Sequence, residues 1–414
     1  TSRKASAFTL RRKLVQHLQN QQPKNFTLMK KYFLSTLILA LFAVGFTASD
    51  EETIPGGETP KTDNTGIPKD DDAEKNPTVA PEETTTTIPN INVVAELEGE
   101  TLVFRFDMMG IKNQEDVAWL RLYGTGLQDQ NIWLEVDGEA KGVDVYNTID
   151  QQDGRVLPAD IVFTVDNSGS MSEEANAIAR DIIDWANELS QSQLDARFGV
   201  VGYGGYVDGA IDLTDVNTLS AYLNRSYGTS RTVGFGGSRA TDLKNLANAW
   251  QKTSYSQSGN ECGAMAILFA NEYFQFRSNA NRVYVNFTDE PNQPSGIAKY
   301  SVEFFKSQEN WAAANGTVHT VWSDQYGYNW TYNEAPWLIS EYTGGTTLKT
   351  NASFTGVSLS SLPVTAALQN SYILRIHGVA DMLNDGLTHE VHITIVSTDG
   401  KVKADKIFYV KFES

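Results

Sequence analysis

The segment DIVFTVDNSGSM (160–171) constrains this chain more than any other. Its first six residues form a continuous apolar run with no polar alternation, the pattern of a strand buried on both faces. A helical stripe follows at once, in which Ala177, Ile178, Ile182, Trp185, Ala186 and Leu189 share one face. The same alternation recurs downstream. RFGVVGYG (197–204), RVYVNF (282–287), TVHTVW (317–322) and TTLKT (346–350) read as strands, and GAIDLTD (209–215) as an edge strand. Helices are expected over 216–224, 241–252, 261–276, 296–314 and 334–343, with 261–276 strongly amphipathic. Strands alternating with helices predict an α/β layered domain with a mostly parallel sheet and helices on both faces, over residues 159–357.

The flanking segments have a different period. TLVFRFDM (101–108), VAWLRLYG (117–124) and NIWLEVDG (131–138) alternate apolar and polar residues. So do YILRIHG (372–378), THEVHITIVS (388–397) and KIFYVKF (406–412). Period-two segments broken by Gly, Asn and Asp predict antiparallel strands with one solvated face. Each flank is small for a stable domain of its own. The economical arrangement is one β-sandwich built from 91–158 plus 358–414, with the α/β domain inserted between its halves.

Charge divides the remainder. The 414 residues carry a net charge of −18. Residues 1–49 hold eight basic side chains and no acid, and residues 50–90 hold eleven acids and three lysines. These two segments cancel, so the acidity belongs to residues 91–414. A surface this negative excludes a nucleic-acid backbone as partner and attracts cations. Met29-Lys30-Lys31 followed by an apolar run to Ala48 reads as an upstream extension plus an export signal. The chain is therefore expected at a cell surface or in a periplasm, in association with an outer membrane or free. Membrane contact is expected only through an uncleaved or lipidated N-terminal segment. Residues 50–90, rich in Thr, Pro and acids, are expected to be a disordered tether. The single cysteine, Cys262, excludes an intramolecular disulfide and a cysteine-built zinc site.

Chemistry concentrates where strands end. Asp166, Ser168 and Ser170 alternate in the loop after the first buried strand, so one carboxylate and two hydroxyls project together. Hard oxygen donors suit Mg²⁺, Mn²⁺ or Ca²⁺ better than zinc. Asp289, in TDEP (288–291), follows a second buried strand. In a parallel sheet all carboxyl ends share one edge, so Asp166 and Asp289 can meet across 123 residues.

The DxSxS loop at 166–170, the long helix after it and the TD turn at 288–289 resemble the von Willebrand factor type A domain and its metal-ion-dependent adhesion site. The resemblance spans about 200 residues. It implies a divalent cation held by Asp166, Ser168, Ser170 and Asp289, whose open coordination position accepts a carboxylate from a protein partner. The family's second-loop threonine is replaced here by GNECG (259–263), which leaves Asn260 or Glu261 as the donor. DNSGSMSEE (166–174) and GGYVDG (204–209) also resemble the type A domain of the integrin β polypeptides, which likewise sits within a β-sandwich. That likeness implies an adjacent Ca²⁺ at Glu173, Glu174 and Asp208, although acids in a first helical turn are favoured by the helix dipole alone.

The expected function is thus an exported, cation-dependent protein-binding or adhesion module, and not an enzyme. The alternatives are a structural component of a surface assembly with a stabilising metal and, with less in its favour, a metal-dependent hydrolase. The hydrolase would need a general base near the metal. None of the five histidines falls in a predicted loop at that edge.

Overall fold

The computed structural model describes residues 66–98, 100–113, 118–150, 157–192, 194–253, 261–324 and 333–413. The expected signal segment, residues 50–65 of the expected tether, Asn260 and residues 325–332 lie outside them. No helix of the described residues is long and apolar enough to cross a membrane.

Five strands come first: β1 (Ile91–Glu98), β2 (Thr101–Met108), β3 (Ile132–Val136), β4 (Glu139–Lys141) and β5 (Asp144–Asn147). Then follow β6 (Ala159–Asp166), α1 (Ala175–Gln191), β7 (Ala196–Tyr203), β8 (Val207–Thr214), α2 (Val216–Leu223), β9 (Gly234–Gly236), α3 (Ala240–Thr253) and α4 (Gly263–Tyr273). The chain continues through β10 (Asn281–Thr288), β11 (Thr317–Ser323), α5 (Trp337–Thr343), β12 (Thr347–Thr350) and α6 (Val364–Gln369). It ends with β13 (Tyr372–Ile376), β14 (His389–Val396) and β15 (Lys403–Val410).

Seven strands form one sheet in the order β12-β11-β10-β6-β7-β8-β9. Only β7 and β8 run antiparallel; every other neighbouring pair is parallel. The rim on the β8 side is β9, so 209–215 belongs to an interior strand rather than an edge. Gly209 permits this: a Cβ there would lie 1.8 Å from the Thr232 carbonyl oxygen, so only glycine lets the 232–234 backbone approach.

Two further sheets, β1-β2-β13-β5 and β15-β14-β3-β4, join strands from before and after the seven-stranded sheet. β2 pairs with β13 and β3 with β14, both antiparallel. Their apolar faces share a core that includes Phe104, Phe106, Leu134, Leu374, Ile393 and Phe408.

Every residue of β6 is buried. Phe163, at its centre, has ring centroids 5.9 Å from Trp185 of α1, 6.5 Å from Phe198 of β7 and 6.4 Å from Phe287 of β10. α1 buries the expected stripe on this face, with Ile178, Ile182, Trp185, Ala186 and Leu189 all covered. α4 covers the other face and departs from the amphipathic expectation, because Gly263 to Ala270 are all buried. A helix apolar all round is one enclosed on several sides.

Three other expectations fail because distant side chains or strands take the backbone bonds. Residues 118–124 form no strand, only an isolated bridge between Trp119 and Lys112. The Asn147 side chain takes both Leu122 N–H and C=O (3.0 and 2.9 Å), and that of Asn131 takes Tyr123 N–H and Arg121 C=O (both 2.8 Å). Side-chain amides thus replace a sheet ladder. The expected helix 296–314 is a series of 3-10 turns at 298–300, 302–306 and 313–315. There Glu334 accepts the Val302 N–H (3.0 Å), and the Gln308 side chain turns away to bond the backbone of β15.

Residues 66–90, expected as part of a solvated tether, lie against the sandwich. Ile67 and Ile88 are buried as two apolar pegs. Between them Asn76 donates to His392 O and Thr394 Oγ1 (both 3.0 Å), and Thr85 N–H donates to Lys403 O (2.8 Å). Polar bonds to existing strands can hold an extended segment that lacks a core of its own.

Candidate metal centre

β6 and β10 are adjacent and parallel, with Val165 opposite Phe287. Their carboxyl ends therefore deliver Asp166 and Asp289 side by side. β6 is also where the connections diverge: β7 lies on one side of it and β10 on the other. Such a switch point opens a crevice above the strand ends. α4 begins at the same edge, and Glu261 stands two residues before its first turn. The Glu261 carbonyl accepts from Gln293 N–H at 2.8 Å, which ties the two loops together.

One carboxylate oxygen from each of Asp166, Glu261 and Asp289 lies within 4.8 Å of the other two. Asp166 Oδ1 accepts from Ser168 N–H (2.9 Å), and Oδ2 from the Thr288 hydroxyl (3.2 Å). The Ser168 and Ser170 hydroxyls are 2.9 Å apart, and Ser170 Oγ donates to Asp289 Oδ1 (3.2 Å). The sequence-derived set Asp166, Ser168, Ser170, Asp289 is thus one connected group. Glu261 joins it through side-chain hydrogen bonds to Ser168 and Asp166, and Asn260 lies outside the described residues. Thr288, the added partner of Asp166, was legible only as the Thr of the TD turn.

Three carboxylates at this range repel one another. Each pair of unit charges costs on the order of 3 to 4 kcal/mol at an effective dielectric of about 20. Among the described residues no lysine or arginine pairs with any of them. Burial, then Glu261, then Asp289 raise the Asp166 carboxyl well above the usual range. Burial, then Glu290 and Asp289, push Glu261 up to about 7. Burial raises Asp289 as well. Asp289 Oδ2 and Glu261 Oε2 are buried and have no hydrogen-bond partner. Unpaired buried oxygens of this kind are costly. A cation would supply the missing charge and the missing ligand together, so the triad can hold a metal ion.

A pH dependence follows. Glu261 has a folded value of about 7 against an ordinary 4.5. Its contribution in the metal-free protein is fully present below 4.5 and lost as pH rises through about 7. The metal-free melting temperature should therefore fall between about pH 5 and about pH 8. A divalent cation should reverse this slope, since it replaces the protons. Melting curves with EDTA and with Mg²⁺ or Ca²⁺ across that range check both signs.

The residues suggested for a second cation are not gathered. Glu173 is exposed, Glu174 is fully buried, and Asp208 accepts from Asn167 Nδ2 at 2.7 Å. Among the described residues no second group of three acidic, histidine or cysteine side chains lies as close as the Asp166 triad.

Gly263 sets the height of Glu261. A Cβ there would meet Asn286 Nδ2 at 2.7 Å and Oδ1 at 2.8 Å. Asn286 cannot yield, because Thr164 Oγ1 (2.8 Å) and Tyr203 OH (3.0 Å) both donate to its Oδ1. Gly263→Ala should therefore lift the start of α4 and carry Glu261 away from Asp166. We expect a stability loss of about 1 to 3 kcal/mol and a cation affinity weakened by about tenfold, read by denaturant melts in EDTA and by calorimetric titration.

No family model matches this sequence, and no curated protein does. Among solved structures, BatB from Bacteroides thetaiotaomicron is similar at 14% identity over 51% of this chain and 95% of that one, with a TM-score of 0.32. An aerotolerance-related membrane protein from Bacteroides fragilis matches at 14% identity, 51% and 98% coverage and a TM-score of 0.28. Proximal thread matrix protein 1 from the mussel byssus matches at 14% identity, 52% and 47% coverage and a TM-score of 0.29. Likenesses at these scores assign the chain to no family and to no activity.

Proposed function

We propose that this chain is an exported, divalent-cation-dependent protein-binding module of the von Willebrand factor type A kind. Asp166, Glu261 and Asp289, with the hydroxyls of Ser168 and Ser170, hold the cation, and a carboxylate from a partner completes its coordination. The observation that carries this reading is the pair of buried, unpartnered oxygens on Asp289 and Glu261 within a three-carboxylate cluster. The all-oxygen donor set favours Mg²⁺, Mn²⁺ or Ca²⁺. The seven-stranded sheet is compatible with a von Willebrand factor type A-like fold. The strongly acidic chain would otherwise repel an acidic partner, and a bridging cation gives such a partner a reason to bind.

A second reading has one observation in its favour. Asp166 and Asp289 are 1% and 0% exposed, as suits a cation that stabilises the fold of an assembly component without meeting a partner. Capture of peptides from a displayed library separates the two. Retention of Asp- or Glu-bearing peptides in Mg²⁺ or Ca²⁺, lost in EDTA and in Asp289→Asn, supports the binding module. Cation uptake with no cation-dependent capture sinks it in favour of the structural reading.

A further inference from the structure

A cavity of about 240 Å³ lies away from the cation edge, at the amino ends of β11 and β12. Met109, Trp119, Pro363 and Val364 give it apolar walls, and His319 and Thr346 add polar groups. His319 is 3% exposed. Its Nδ1 accepts the Thr346 backbone N–H at 3.1 Å and lies 2.9 Å from the Thr346 hydroxyl. With Nδ1 engaged as acceptor, the neutral ring carries its proton on Nε2. Burial favours the neutral ring, lowering its pKa to about 4. That Nε2 is buried and has no hydrogen-bond partner. His319 lines the cavity, so a small turn of its ring presents this unpaired donor to an acceptor bound there. Lys112, exposed, also borders the cavity and contributes a positive charge.

We propose that this cavity is a binding site for a small carboxylic acid with an aromatic or aliphatic body, the body against Met109, Trp119, Pro363 and Val364 and an acceptor oxygen toward His319. Apolar walls with one or two placed polar groups are the usual composition of a small-molecule site, and drug-sized ligands occupy roughly 300 to 1,000 Å³. The smaller volume here suits a single ring. Lys112 favours an anionic acceptor over a neutral one.

The test uses the full chain with ¹³C-methyl methionine, in EDTA so that the cation edge cannot take up a carboxylate. Benzoate should move the Met109 methyl signal and leave those of Met171 and Met265 in place. Toluene, which has the ring but no acceptor, should move the same signal with an affinity about tenfold weaker. His319→Phe keeps the ring volume and removes the donor, so it should erase the preference for benzoate while leaving toluene binding intact. If neither probe moves Met109 at millimolar concentration, or if His319→Phe leaves the preference unchanged, the proposal is overturned. Should that variant fail to fold, Ala367→Leu, which fills the cavity from α6, should abolish the response to both probes. A response that survives the filling also overturns it.

Discussion

Asp166→Ala should take up no divalent cation under conditions where the wild type binds one. The side chain sits at the centre of the cluster, between the Ser168 N–H and the Thr288 hydroxyl, and shares the 4.8 Å triangle with Glu261 and Asp289. Calorimetric titration with Mg²⁺, Mn²⁺ and Ca²⁺ reads the loss directly. Stability should show a crossing of signs. A cation at about 100 times its dissociation constant stabilises the native state by about 2.7 kcal/mol, and a variant that cannot bind gains nothing. In EDTA the order should change, since Asp166→Asn keeps an acceptor for the Ser168 N–H, can donate its amide N–H to the Thr288 hydroxyl oxygen while that hydroxyl donates to Glu290 O, and removes one of three mutually repelling charges. The metal-free Asn variant should match or exceed the metal-free wild type in melting temperature. If it is less stable than the wild type in EDTA and equally responsive to cation, the carboxylates are not the ligands.

Phe163→Ala should have the largest effect on stability. Its ring touches the two neighbouring strands and α1 at once, through Phe198, Phe287 and Trp185. Truncating a buried Phe costs about 3 to 5 kcal/mol, the transfer of the ring plus the cavity it leaves. In a unit of this size that corresponds to a fall of on the order of 10 °C in melting temperature. The site itself should survive, because β6 keeps its backbone pairing on both sides. Protein that still folds should bind cation as the wild type does; a loss below about 1 kcal/mol in denaturant melts would show that α1 collapses onto the gap.

The central strands of the seven-stranded sheet were legible because both-face burial leaves an unbroken apolar run in the sequence, as in 160–165 and 282–287, whereas the three-residue, glycine-flanked β9 left no such run. Asp166 and Asp289 were legible for the same reason, since a residue just past such a run has only one edge to occupy. Glu261 came only from the family resemblance at GNECG, which left Asn260 or Glu261 as the donor, because its loop has no strand before it to fix its direction. What stayed hidden was decided by distant side chains. Nothing within 117–124 announces that Asn131 and Asn147 will take its backbone bonds. Nothing within 296–314 announces that Glu334 will take the Val302 N–H. Nor does the polar composition of 66–90 reveal that two isoleucines and Asn76 suffice to lay it along strands already formed by others.

The adjacency of β6 and β10 also bears on the order of events in time. The carboxylates that could hold a cation come from positions 166, 261 and 289, so no local segment of the unfolded chain contains the site. Long-range pairings of this kind form slowly, and an ion that needs them all cannot speed their formation. It would act on escape from the native state instead. In stopped-flow experiments saturating cation should leave the folding limb almost unchanged and lower the unfolding limb, so that the cation-loaded protein would be held by a slow exit rather than by a fast entry.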